Sequence, residues 1–108
     1  MVKWKSSDKS LVIYLKDEID HHAAEKLRND IENLIKQQQP KILTLDFTDV
    51  TFMDSSGVGM LIGRYKTMAA NGGQVFACGL SETLWRLFRM AGLHRIIQTA
   101  CVERSKEV

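Results

Sequence analysis

The chain has little with which to staple or anchor itself. Only two cysteines occur in 108 residues, and Cys78 and Cys101 stand at neither a metal-ligand nor a CxxC spacing, so a disulfide framework is excluded. Cys78, inside an apolar run, reads as a small core residue; Cys101 carries no signal. The single proline, Pro40, falls where a helical pattern stops. No apolar run approaches membrane-spanning length, and the start, Met1-Val2-Lys3-Trp4-Lys5, lacks the apolar core of a signal peptide. A soluble, cytoplasmic protein with no membrane partner is the expectation. Charge of one sign is missing too: 15 Lys and Arg stand against 13 Asp and Glu, a formal net charge of +2, mixed along the sequence. That leaves no basic face to neutralise phosphates, and direct nucleic-acid binding is not expected. Neither internal repeats nor low-complexity segments occur. A chain of this length suits one domain over residues 1–108, burying about two thirds of its unfolded surface.

What is present reads as alternating strands and helices. Residues 10–16, Ser-Leu-Val-Ile-Tyr-Leu-Lys, are β-branched and aromatic over a strand's length, and residues 2–5 are placed to pair with them across Ser6-Ser7-Asp8-Lys9 as a hairpin. Asp20 is a cap for a helix whose apolar positions Ala24, Leu27, Ile31, Leu34 and Ile35 recur at three and four. Residues 41–47 form a strand, followed by a short acidic loop. After Asp54 a helix carries Val58, Leu61, Ile62, Tyr65, Met68 and Ala69 on one stripe, with Asn71-Gly72-Gly73 supplying left-handed conformations at its end. Residues 74–78 read as a strand. Residues 82–91 read as a helix with Leu84, Leu87, Phe88 and Ala91 inward, stopped by Gly92 with Leu93 folding back over the stop. The tail offers an edge strand or short helix over residues 96–102, then a frayed end over residues 103–108. This order makes an α/β fold with helices packed against a mixed β-sheet whose helix-linked strands run parallel. Sites in such sheets gather where strands give way to helices, which selects residues 19–22 and 53–57.

The second junction, Asp54-Ser55-Ser56-Gly57, has the chemistry of a helix start. Asp and Ser side chains accept hydrogen bonds from the unpaired first-turn amides, so Asp54 or Ser55 can serve as the cap, and a hydroxyl is left at the positive helix end, well placed for phosphorylation. Competing motifs fail on spacing. Gly57-x-Gly59-x-x-x-Gly63 has Ile62 where the dinucleotide fingerprint needs its third glycine, and no Gly-Lys-Ser/Thr follows. Met53 and Asp54 occupy the positions where a hydrolase elbow needs glycine two before Ser55 or Ser56. Asp46, Asp49 and Asp54 lie on one segment, unlike a magnesium site built from separate strand ends, and read as loop polarity and capping. His21 and His22 read as a solvated turn, and Met60, Met68 and Met90 as packing. Met53, directly before the junction, stays open as a contact residue. Trp85 falls off its helix's inward stripe. The glycines of the helix cost about 1 kcal/mol each against alanine, which suggests close approach by a neighbouring backbone or a partner.

Val50-Thr51-Phe52-Met53-Asp54-Ser55-Ser56-Gly57-Val58-Gly59-Met60-Leu61-Ile62-Gly63-Arg64-Tyr65-Lys66 resembles the signature of the anti-sigma factor antagonists, single-domain proteins of the STAS fold. The likeness continues through Glu18-Ile19-Asp20-His21-His22 and Leu87-Phe88-Arg89-Met90-Ala91-Gly92-Leu93, so it covers nearly the whole chain. The Gly63-Arg64-Tyr65-Lys66 ending is similar to the sporulation branch of that family.

The resemblance implies a phosphorylation-controlled binding module rather than an enzyme, with no cofactor and no metal. Its partners would be an anti-sigma factor with serine kinase activity and a serine phosphatase. By the same resemblance the modified serine is the one directly after the aspartate, Ser55; pattern alone does not separate it from Ser56. Asp54 would act as cap and polar neighbour, Ser56 and Gly57 as shape determinants, and Asp20 as a partner contact on the adjoining loop. Two rival expectations are a phosphorylation-independent STAS scaffold subunit of a transporter or stress-signalling complex, and a small enzyme or nucleotide-binding protein of the same fold class. The absent nucleotide and hydrolase motifs argue against the second.

Overall fold

The structure, a computed structural model, describes residues 2–101. Strand β1 (Lys3–Ser7) pairs antiparallel with β2 (Ser10–Ile19) through a two-residue turn in which Asp8 takes a positive φ of 57°, a conformation Asp tolerates better than most residues. Helix α1 (His21–Gln38) follows, then β3 (Ile42–Met53), α2 (Ser55–Ala70), β4 (Gln74–Cys78), α3 (Glu82–Met90), a 3-10 turn at Leu93–Arg95, and β5 (Gln98–Cys101). The five strands lie in sequence order in one sheet, and β2, β3, β4 and β5 run parallel. The expected mixed α/β architecture is therefore present. The tail supplies the edge strand, while residues 102–108, including the expected frayed end, lie outside the described residues.

Sequential order with right-handed crossovers puts the helices on one face, and the burial pattern agrees. Leu11, Ile13 and Leu15 of β2 and Leu43, Leu45 and Phe47 of β3 are buried, whereas Val12, Tyr14, Thr44 and Asp46 between them are half-buried. Ala24, Ile31, Leu34 and Ile35 of α1 and Leu84 and Phe88 of α3 close that core. Phe47 and Phe88 meet edge to face with centroids 5.6 Å apart, the arrangement the ring quadrupoles favour. Leu93 is fully buried, folded back behind Gly92 as expected.

Several expectations are corrected. The acidic loop after residue 47 is strand: β3 runs on to Met53, and β2 to Ile19, as a two-stranded extension beyond β4, which pairs with β3 only as far as Asp46. Two register shifts, each with an extra residue on β3, between Asp46 and Asp49 and between Val50 and Phe52, the second opposite Asp17 with φ 61°, twist this extension and explain why its polarity does not alternate cleanly. Helix α2 is rotated from the predicted stripe. Gly57, Met60, Leu61, Arg64 and Met68 are buried, Val58, Ile62 and Tyr65 are half-buried, and Ala69 is exposed. The rotation follows from an inward arginine, described below. Only Gly72, at φ 76°, is left-handed after α2; Asn71 sits at −97° and Gly73 is not in that region. Ala91 is exposed, Leu87 half-buried, and Cys78 half-buried rather than a core residue. Trp85 is half-buried, with its ring edge-on to His94 and the Arg89 guanidinium 5.8 Å from its centroid. Among the described residues no helix is long and apolar enough to cross a membrane.

Candidate functional site

Parallel pairing brings the two strand-to-helix junctions together. Ile19 and Met53 are the last register partners of β2 and β3, and the backbone N–H of Asp54 donates to the Ile19 carbonyl at 3.3 Å. Each strand then turns into a helix through an extended aspartate: Asp20 at φ −91°, ψ −170° and Asp54 at φ −105°, ψ −169°. Asp20 Oδ1 accepts from the Ala23 N–H at 3.0 Å. Asp54 Oδ1 accepts from Ser56 N–H at 2.9 Å and Gly57 N–H at 3.4 Å. Of the two candidate caps for α2, Asp54 is the one used, which frees Ser55 from that duty. The result is two helix N-termini side by side, each with orphan amides partly met by a carboxylate.

The residues expected at the site separate by depth. Ser55 and Asp20 are exposed, and Asp54 and Ser56 are half-buried. Met53 is 5% exposed, and Gly57 is buried directly above it. A Cβ built on Gly57 would collide with Met53 Cγ and come within 2.8 Å of its Sδ and 3.2 Å of Ile19 Cγ2. Close approach is thus the reason for glycine at 57. Met53 lies in the core beneath the junction, where it shapes the surface instead of forming it. At Gly59 and Gly63 a Cβ would meet nothing within 4 Å, so packing inside the chain does not require those glycines.

His21, left without a role by sequence reasoning, lies against the second junction: its Nδ1 is 3.4 Å from Ser56 Oγ. Both residues line a groove of about 310 Å³ between α1 and α2, with Glu25, Arg28 and Gly59. The aspartate–histidine pair opening a helix was the available signal, but its partner is distant in the sequence. Phe52, expected in the loop after residue 47, is 50% exposed on the strand extension, next to the junction.

Deeper in the α1–α2 seam, Arg64 is 6% exposed, with Nε 2.8 Å from Glu32 Oε2. The same oxygen accepts from Thr67 Oγ1 at 2.7 Å. Burial pushes the Arg64 guanidinium below its ordinary pKa; Glu32 opposes that shift and Arg28 adds to it. Arg64 Nη1 is buried without a hydrogen-bond partner, so the ion pair leaves part of the desolvation cost unmet. The seam that carries the site is held by charge as well as apolar contact.

The mixed sheet and the serine that opens α2 behind the Asp54 cap agree with the family to which the chain belongs: the STAS domain family, whose model matches residues 2–106. Within that family it is similar to the anti-sigma F factor antagonist of Paenibacillus polymyxa, 34% identical over 87 residues, which cover 81% of this chain and 74% of the relative. It is similar at the same 34% identity to the anti-sigma-B factor antagonist of Listeria monocytogenes, over 91 residues that cover 84% and 79% of the two chains. The solved structure of the Bacillus cell fate determinant SpoIIAA in its phosphorylated form superposes with a TM-score of 0.73 at 31% identity, covering 97% of this chain and 96% of that one. The resemblance read from residues 50–66 therefore extends through the fold.

Proposed function

We propose that this protein is an anti-sigma factor antagonist: unphosphorylated, it binds a cognate anti-sigma factor and releases the sigma factor, and phosphorylation of Ser55 switches that binding off. The observation that carries the reading is the exposed Ser55 as first residue of α2, beside a cap made by Asp54, on the surface it shares with Asp20. Similarity to named antagonists of both anti-sigma F and anti-sigma-B factors supports the partner class, and a phosphorylated structural relative supports the modification.

In this reading the anti-sigma factor is also the serine kinase. Ser55 Oγ attacks the γ-phosphorus of a nucleoside triphosphate, the bond to the bridging oxygen breaks, the diphosphate leaves, and the hydroxyl proton passes to a base on the kinase. The added group carries about −1.5 to −2 charges at neutral pH, next to Asp54 and Asp20. Repulsion and desolvation then oppose the complex, and a loss of about 3 kcal/mol weakens binding somewhat over a hundredfold. Within the protein, the positive end of α2 tolerates the phosphate, so the fold survives. Asp54, Ser56, Gly57 and Met53 shape the docking surface, Asp20 contacts the partner, and a serine phosphatase resets the switch. The protein acts by binding and needs no cofactor.

The test is intact and fragment mass spectrometry after incubation with a candidate anti-sigma kinase and ATP, on wild type, Ser55→Ala and Ser56→Ala. One phosphate, lost in Ser55→Ala alone, is the expected result. No phosphate on wild type, with the kinase active on a control substrate, overturns the switch and leaves a fixed scaffold as the reading.

A further inference from the structure

We propose that His21 decides which of the two adjacent serines is modified, by holding the Ser56 hydroxyl in the α1–α2 groove so that only Ser55 is offered to the kinase. The inference rests on the phosphorylation reading above and adds to it a positioning residue from the other junction. In sequence the two serines are nearly equivalent: both follow Asp54 and both lie in the first turn of α2. Their surroundings differ. One residue turns about 100° around a helix axis, and that rotation leaves Ser55 exposed while Ser56 is half-buried against α1.

Three observations bear on Ser56. Its N–H is fixed by Asp54 Oδ1 at 2.9 Å. Its Oγ lies 3.4 Å from His21 Nδ1. Its groove also holds Glu25 and Arg28. A serine hydroxyl both donates and accepts, so the contact with His21 is available in either tautomer of the ring. To be phosphorylated, Ser56 has to surrender that contact and leave the groove. Ser55 is exposed and is offered without that step. The transfer is the same at either serine: an O–P bond forms at the hydroxyl oxygen, the bond to the bridging oxygen of the triphosphate breaks, the diphosphate leaves, and the proton goes to the kinase's base.

His21 is exposed and stands at the first position of α1, whose cap is Asp20, so its replacement leaves core and cap intact. The experiment compares wild type, His21→Ala, His21→Asn, Ser55→Ala and the double variant Ser55→Ala/His21→Ala, each incubated with the anti-sigma kinase and ATP and read by fragment mass spectrometry. The ratio of phosphate on Ser56 to phosphate on Ser55 is expected to rise about fivefold to tenfold in His21→Ala, the order set by one neutral hydrogen bond. Phosphate should appear on Ser56 in the double variant and not in Ser55→Ala. Asparagine places a side-chain amide where Nδ1 stood, so His21→Asn should keep the wild-type ratio; a general loosening of α1 would not be rescued that way. Wild-type phosphate on Ser55 with an unchanged ratio in His21→Ala, or an asparagine variant that behaves like alanine, overturns the role of His21 alone. No phosphate on any variant, with the kinase active on a control substrate, overturns the phosphorylation reading and this role with it.

Discussion

The backbone N–H of Asp54 donates to the carbonyl of Ile19 at 3.3 Å, and this bond joins the start of α2 to the end of β2. Because of it the two capping aspartates are set on one surface by the sheet and not by loops of their own. A substitution at either junction can therefore act through helix capping, through charge, or through the packing beneath, and variants can be chosen to separate the three.

At Asp20, capping and charge are separable. Asn keeps a side-chain oxygen for the Ala23 N–H and removes the negative charge, so Asp20→Asn should hold stability within about 0.5 kcal/mol, whereas Asp20→Ala should lose about 1 kcal/mol. If Asp20 contacts the anti-sigma factor, both variants weaken binding. Urea unfolding and a binding titration with the partner read the two effects, and unchanged affinity in both removes Asp20 from the interface.

The glycines of α2 should divide by position. Gly57→Ala drives a methyl into Met53 and Ile19. Overpacking costs about 1–3 kcal/mol, and the better helix propensity of alanine returns about 1 kcal/mol of it; a net loss is expected in urea unfolding. Gly59→Ala and Gly63→Ala meet no atom within 4 Å and should each raise stability by up to about 1 kcal/mol. If they do so while weakening partner binding, the glycines answer to the partner's approach.

Glu32 and Arg64 should respond asymmetrically. Glu32→Gln leaves a buried guanidinium without its counter-charge and is expected to cost about 3 kcal/mol. Arg64→Met leaves a carboxylate that is 26% exposed and still accepts from Thr67, so its loss should be smaller, and the double variant Glu32→Leu/Arg64→Met, which removes both charges, should be neutral or stabilising. A double variant less stable than either single one, measured by chemical denaturation, would show that the pair contributes net stability instead of relieving a cost.

The capping role of Asp54 should appear in Asp54→Ala as a loss of about 1 kcal/mol, since two first-turn amides lose their acceptor. Asp54→Ser should recover most of it. Comparing the two for phosphate uptake on Ser55 tests whether the carboxylate does more than hold the helix start.

Legibility in the sequence followed the range of the interactions. The hairpin, the Asp20 cap, the β4 bounds at residues 74–78 and the stop at Gly92 were read directly, because each depends on residues a few positions apart. The β3 extension was misread as a loop since Thr48, Asp49 and Thr51 are polar on a strand pair exposed beyond β4. The α2 stripe was misplaced because an arginine at position 64 looks like surface, and only its contact with Glu32 makes it an inward residue.

The sequence by itself determined the order of elements, the mixed sheet with its helix-linked strands parallel, the two capped junctions and the family, all of which are written in local periodicity, turn chemistry and a contiguous signature. The tertiary structure alone decided that Met53 lies beneath Gly57, that Arg64 turns inward, and that Ser56 faces His21 while Ser55 stays exposed. These depend on strand register and helix rotation, which bring together side chains from segments far apart in the chain, and no local pattern carries that information.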